Sequence, residues 1–381
     1  MMIALVNGRV LSEHGIADGQ AVLLDEGHIR AIVPMGALPD DVARYDLRGG
    51  FLLPGFIDVQ VNGGGGALFN DAPTVETIRT IGAAHANFGT TGFLPTIISA
   101  DLDAIKTAIT AVDAAIEAGV PGVLGIHIEG PFLSSARKGI HDASKFRTLG
   151  TEALELLTSL KRGKTLLTLA PETTTPQTIR ALADAGVIVS AGHTDASFDI
   201  VQNALRSGVR GFTHLFNAMS PLTSRAPGVV GAALDDRESW CGIIVDGHHV
   251  HPAVLRIALR CKGVDRLMLI TDAMPSVGSP AKSFALQGRT ITVKGGVCVA
   301  PDGTLAGSDL DMAAAVRNTI ALLGVDLSTA AHMASLNPAT FLGLEQKFGR
   351  IQPGYRADLV LLTEKLGVLQ SWVGGRPLLV S

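Results

Sequence analysis

Four short apolar segments of this chain each end on a side chain that binds metals or moves protons. They are Val123–Glu129 with Gly130-Pro131 after it, Val187–His193, Gly211–His214 and Leu267–Asp272. A continuous apolar run of about four to eight residues reads as a strand buried on both faces, the mark of a parallel sheet. Glu129, His193, His214 and Asp272 are therefore expected at or near the carboxyl ends of successive buried strands. In a (β/α)8 barrel all strands open onto one mouth, and catalytic groups collect there. One carboxylate and two imidazoles suffice to hold a divalent cation, and a further aspartate beside it can handle a proton. Any one of the four alone reads better as a satisfied polar group at a strand end. Four in the same relative position point to a site.

Strand and helix signals alternate through the middle of the chain. Phe56–Val61 precedes a helix at Val75–Phe88, Gly92–Ile98 one at Leu102–Ala118, and Val123–Glu129 one at Glu152–Leu160. Thr165–Leu169 precedes Gln177–Ala185, Val187–Ala191 precedes Phe198–Arg206, and Gly211–His214 opens a long loop. Cys241–Val245 precedes Pro252–Arg260, and Arg266–Thr271 leads to Leu310–Leu323 after an inserted hairpin within Ser276–Ala306. Helices ending at Gly119, Gly186, Gly208, Gly263 and Gly324 suit a left-handed terminus. Eight β–α units predict an α/β chain closed as a (β/α)8, TIM-like barrel. The runner-up, a doubly wound open sheet, lacks a G-x-G-x-x-G turn.

Both chain ends are β-rich: Ile3–Val10, Ala21–Val33 and Ala43–Leu47 at one, Ala357–Leu362, Gly367–Trp372 and Leu378–Val380 at the other. A small β-sandwich assembled from residues 1–53 and 346–381, beside a barrel over 54–345, follows. A length of 381 residues suits one large domain plus a small one, and 47% hydrophobic against 17% charged residues supplies a large core. The net charge of −4 and the lack of a basic run argue against a nucleic acid or an anionic membrane as partner. No apolar stretch reaches the roughly 18–20 residues of a bilayer span. Met1–Glu13 shows no secretory pattern, and Cys241, Cys261 and Cys298 are scattered, so a cytoplasmic protein is expected.

Around the four strand-end groups lie other candidates. Alternation puts Asp58, Gln60 and Asn62 on one face of the first barrel strand. Many metal hydrolases on this barrel carry H-x-H there; neutral amides are much weaker ligands, so one firmly held metal is expected, with Gln60 and Asn62 marking a vestigial second position. Gly63–Gly66 lacks a following G-K-[ST], which leaves a flexible, close-approach wall of the site rather than a phosphate loop. His127 shares a strand face with Glu129; Glu129 is favoured as ligand and His127 as a buried, hydrogen-bonded residue. His141, in the loop after strand three, is placed to polarise a substrate carbonyl. Arg225 is a lone loop arginine, and Asp246-Gly247-His248-His249-Val250-His251 cannot all face one ion, so one or two of these histidines are read as substrate contacts.

These stretches together resemble the N-acetylglucosamine-6-phosphate deacetylases of the amidohydrolase superfamily. The matching segments are Pro54–Asp58, His127–Pro131, Gly192–Thr194, His214–Met219, Asp246–Val250, Thr271–Ala273 and Leu305–Ser308, in family order and nearly end to end. The resemblance implies a homodimer that removes acetate from N-acetylglucosamine 6-phosphate. It implies Glu129, His193 and His214 as ligands of one divalent metal, with zinc expected, and Asp272 as the catalytic acid–base with His141 on the carbonyl. Substrate contacts are implied for Asn217, Ala218, Arg225 reaching the neighbouring subunit, and Asp246 with His249. Ile140 and Leu305, Ala306 and Gly307 are expected nearby. The Gln60/Asn62 pair departs from members with H-x-H. Two other functions stay open at this point: a different N-acyl or cyclic-amide hydrolase, and a catalytically silent sugar-phosphate sensor.

Overall fold

The computed structural model describes residues 2–13 and 15–378. The apolar runs of the middle pair side by side as one parallel sheet of eight strands. In chain and spatial order they are Phe56–Val61, Thr90–Ile98, Gly125–Glu129, Lys164–Leu169, Ile188–Ala191, Val209–Phe212, Trp240–Ile243 and Leu267–Leu269. Six of the eight are buried at every residue, because the strands face side chains on one side and helices on the other. The seam between strands one and eight closes through irregular backbone: Asp272 N–H donates to Gln60 O (3.1 Å), and the N–H groups of Asn62 and Gly63 both donate to Ala273 O (3.0 Å). The barrel and its outward helices match expectation.

Helix starts follow capping chemistry. Thr74, Thr175, Ser197 and Asp311 each accept a backbone N–H with the side chain, which satisfies one of the orphan donors of a first turn. All five glycines expected to end helices have positive φ. The expected helix Leu310–Leu323 is instead Met312–Asn318 followed by a wider-turn segment, Thr319–Leu323. Helices at Gly228–Asp235, Leu327–Ala334 and Leu336–Phe341 were not expected. The first of these is Gly-Val-Val-Gly-Ala-Ala-Leu-Asp and buried over its first six residues, so it carries no polar face from which a period could be read.

The chain ends build a second sheet. Ile3–Ser12 pairs with Gly15–Asp25, with Ala43–Asp46 and with Phe51–Pro54; Phe51–Pro54 in turn pairs antiparallel with Leu359–Leu362, which continues to Val368–Val373 and Arg376–Leu378. Alternating residues supply two cores: Leu5, Val22 and Leu24 in one, Ala4, Val6, Ala21 and Leu23 in the other. The run Ala21–Val33 divides at its Asp25–Gly27 turn signal into Gly15–Asp25 and His28–Pro34. Of the expected Leu378–Val380, residues 379 and 380 lie outside the described residues. The inserted hairpin is larger than expected, a four-stranded sheet of Ser283–Leu286, Arg289–Lys294, Val297–Val299 and Leu305–Ser308. Among the described residues no helix is long and apolar enough to cross a membrane.

Candidate metal centre and catalytic pocket

At the carboxyl mouth of the barrel, Glu129 closes strand three, while His193 and His214 lie two residues beyond strands five and six. Both histidines are in the left-handed region, at φ 48° and 35°, and Asp272 joins them at φ 53°. Three non-glycine residues held there cost on the order of 1–3 kcal/mol each and persist where the surroundings over-determine them. The bend turns each side chain inward from the end of its strand. Strand eight stops early at Leu269 for the same reason: Thr271 N–H is taken by the Asp58 carboxylate (3.3 Å) and Asp272 N–H by Gln60 O.

The three donors converge. His193 Nε2 lies 3.2 Å and His214 Nε2 3.0 Å from Glu129 Oε1, and the two Nε2 atoms are 3.0 Å apart. His193 Nδ1 faces the carbonyl of Arg137 at 2.9 Å, which keeps the proton on Nδ1 and leaves Nε2 its lone pair. Three electron-pair donors crowded this closely repel one another unless a proton or a cation lies between them. The set, all buried, fits a divalent metal of the borderline class. With protons rather than a cation between the donors, burial opposes ionisation of Glu129, but hydrogen bonds from the His193 and His214 Nε2 atoms outweigh it and hold the carboxyl well below its usual range. His214 is shifted upward: burial disfavours its charge, and the Glu129 hydrogen bond more than compensates.

Asp272 stands beside this cluster, held by amides. Asn62 Nδ2 donates to its Oδ1 at 2.6 Å, and Gln60 Nε2 lies 3.2 Å from both Asp272 Oδ1 and Glu129 Oε1. The alternation reading of strand one is borne out, since Asp58, Gln60 and Asn62 all reach the end of strand eight. The amides there act as donors to carboxylates; Asn62 Oδ1 is buried and has no hydrogen-bond partner among the described residues. Burial, reinforced by the Glu129 charge, raises the Asp272 carboxyl to about 6. No local sequence signal marks the role of Asp58 itself. Its carboxylate accepts from Thr271 Oγ1 (2.5 Å) and from Gln60 N–H (3.1 Å), and so ties strand one to strand eight.

An open cavity of about 360 Å3 spreads from these groups, within the range of small-molecule sites. Its wall includes Asn62, Ile140, His141, Asn217, Ala218, His249, Leu305 and Gly307 as expected, and Arg137, Ile98, Met274 and Thr304, which were not. His141 Nδ1 is 2.8 Å from Ser99 Oγ, and its Nε2 is 4.0 Å from Glu129 Oε2. Burial and the neighbouring imidazole of His193 push the ring down to about 3, so it is neutral near pH 7. When Ser99 donates to Nδ1, the ring's one proton sits on Nε2, facing the cavity. The close approach of this loop requires glycine: Gly139 has φ 55°, and a Cβ there would lie 3.2 Å from His193 Cε1.

Several expected residues stand elsewhere. His127 is bonded at both nitrogens, to Thr96 Oγ1 (3.2 Å) and Thr168 Oγ1 (2.8 Å), in a hydroxyl network that runs on to Thr213 and Ser190 inside the barrel. It is a structural partner, as favoured. Asp246 and Ala306 lie behind the cavity wall: both Asp246 oxygens bond within its own loop, and Ala306 packs in the core of the inserted sheet. His251 caps the helix Pro252–Lys262 by accepting from Ala253 N–H, and His248 is exposed. Arg225 is exposed, outside this chain's own cavity wall. Gly63–Gly66 is not part of the cavity wall, and it is tied down rather than flexible: Gly65 N–H donates to Val277 O (2.7 Å) and Gly66 N–H to Pro275 O (2.8 Å). Partners more than two hundred residues away left no local signal for this.

Residues 51–378 match the model of the Amidohydrolase family, and residues 2–52 that of the NagA composite domain. The chain belongs to the amidohydrolase family. It is accordingly a hydrolase of a metal-dependent family. An N-acetylgalactosamine-6-phosphate deacetylase of Shewanella sp. (strain ANA-3) is 42% identical over 98% of this chain and 95% of its own length. The crystal structure of N-acetylglucosamine-6-phosphate deacetylase from Pasteurella multocida superposes with a TM-score of 0.96 at 36% identity, covering 99% of each chain. A mutant of the Mycobacterium smegmatis N-acetyl-D-glucosamine-6-phosphate deacetylase, in complex with N-acetyl-D-glucosamine-6-phosphate, superposes at 0.90 with 31% identity, over 100% of this chain and 99% of that one.

Proposed function

We propose that this hydrolase removes acetate from N-acetylglucosamine 6-phosphate, giving glucosamine 6-phosphate in the breakdown of amino sugars. The observation that carries the reading is the meeting of Glu129, His193 and His214 beside an amide-held Asp272 in one cavity. Near-full-length relatives and structural neighbours act on N-acetylated amino-sugar 6-phosphates, which supports the substrate class.

Glu129, His193 and His214 would hold one divalent ion, for which zinc is our choice. Such an ion supplies Lewis acidity, lowering the pKa of water from about 16 to about 7 and polarising an amide carbonyl. Asp272, with Oδ1 fixed by Asn62 and Gln60, takes the proton of the attacking water on its free oxygen. As the new C–O bond forms at the amide carbon, His141 Nε2–H donates to the carbonyl oxygen, where negative charge grows. Asp272 then returns the proton to the sugar nitrogen as the C–N bond breaks. Asn217, the Ala218 backbone and His249 would orient the sugar phosphate. Arg225 of a second copy would supply the cation that the phosphate needs, in a homodimer acting in the cytoplasm.

A second reading is the 4-epimer, N-acetylgalactosamine 6-phosphate, favoured by the 42% identity to an enzyme of that name. Acetate release measured on both 6-phosphates and on their unphosphorylated sugars tests the proposal. A large preference for one or both phosphorylated amides is expected. Equal turnover with and without the phosphate, or none on either epimer, would overturn it.

A further inference from the structure

His249 reaches the cavity wall from the loop between strand seven and helix Pro252–Lys262. Only one of its ring nitrogens is available there. Nδ1 lies 2.6 Å from Asp246 Oδ2, while Nε2 has no protein hydrogen bond among the described residues. Asp246 Oδ1 accepts from the backbone N–H groups of His248 (2.8 Å) and His249 (2.9 Å), which makes the turn that carries the ring. Both side chains are only 4% exposed, so neither rotates freely into solvent. Both oxygens of the carboxylate are thus engaged in fixing one imidazole, and Asp246 is not among the residues of the cavity wall.

The geometry points to Asp246 as a positioning residue that dictates which hydrogen-bonding face His249 offers to substrate. Beside a carboxylate, Nδ1 must carry a proton. Nε2 is then either an acceptor, in the neutral ring, or a charged donor, in the protonated one. An asparagine at 246 keeps the turn, because its oxygen still accepts the two backbone N–H groups. Its amide, however, donates toward Nδ1 and moves the ring's proton to Nε2. The ring then offers only an uncharged N–H, the one state Asp246 forbids. A carboxylate that served only to make the turn would give a fully normal asparagine variant.

The inference rests on the proposed function only for the claim that His249 meets the sugar phosphate. Its test therefore has a part that needs no substrate. Nitrogen-15 spectra of the metal-loaded wild type should show His249 protonated at Nδ1, and those of Asp246→Asn a proton on Nε2 alone. In steady state on the better 6-phosphate substrate, Asp246→Asn should raise KM roughly ten- to hundredfold, the cost of mispairing one buried polar contact, with kcat little changed. The double variant Asp246→Asn/His249→Ala should be no worse than His249→Ala. A wild-type ring without a proton on Nδ1, an unchanged KM in Asp246→Asn, or independent losses in the double variant would overturn the assignment. Absence of turnover in the wild type would count against the proposed function alone, since the wild-type spectrum still decides the proton position even where the variant does not fold.

Discussion

Replacing Asn62 with leucine separates the two meanings an amide at the barrel mouth can have. In the structure Asn62 Nδ2 gives Asp272 Oδ1 its shortest hydrogen bond, 2.6 Å, and Gln60 gives the same oxygen a second at 3.2 Å. A hydrogen bond to a charged group is worth about 1.5–3 kcal/mol, or roughly 10–150-fold in rate if the whole of it acts on the reacting arrangement. Gln60 remains as a second donor, so the loss should fall at the lower end, about tenfold in kcat. Stability should fall by no more than about 1–3 kcal/mol: Asp272 loses one donor but keeps Gln60, leucine is of similar size, and the Asn62 carbonyl oxygen has no partner to lose among the described residues. Glu129, His193 and His214 are untouched, so metal content should stay at that of the wild type. The assay pairs elemental analysis with acetate release on the same preparation. An unchanged kcat at full metal content would refute the positioning role. Loss of metal would show that the amide is itself a ligand, the vestigial second position made real.

Other outcomes follow from the same geometry. Asp272→Asn should keep fold and metal and lose roughly 10²–10⁴ in kcat, the usual worth of general acid–base help; near-normal turnover would reduce Asp272 to a structural carboxylate. Arg225→Ala should cut kcat/KM on the 6-phosphate roughly 10–100-fold and leave the plain sugar alone. Mixing it with Asp272→Asn chains should restore activity if the arginine crosses between subunits, and no recovery despite proven exchange would exclude that. His127→Leu should retain metal but lower the melting temperature by a few degrees, since it strips partners from Thr96 and Thr168 at about 1–3 kcal/mol. A loss of metal at normal stability would place His127 in the centre instead.

Much of this fold was legible because parallel strands buried on both faces leave unbroken apolar runs, as in Gly125–Glu129 and Ile188–Ala191. The chemical groups were legible for the same reason, being the first polar residues after those runs. What escaped was whatever depends on distant partners or lacks a period. Asp58 meets Thr271 across 213 positions, and nothing local marks the pair. The helix Gly228–Asp235 is buried on nearly all sides and so shows no amphipathic pattern. The resemblance implies Asp246 as a substrate contact, yet its own loop backbone and His249 engage both oxygens, pairings that the spacing of a turn does not announce. The composition of Gly63–Gly66 predicts flexibility, although the backbone from Ala273 to Val277 anchors it.

The proposed chemistry requires one metal, held by Glu129, His193 and His214 and used for amide hydrolysis. Metal-stripped protein, reloaded stepwise with zinc while acetate release from the 6-phosphate is followed, tests that most directly. Activity should be absent at the start, rise in proportion to bound zinc, and level off at one equivalent per chain. Full activity without metal, or a plateau reached only at two equivalents, would contradict it.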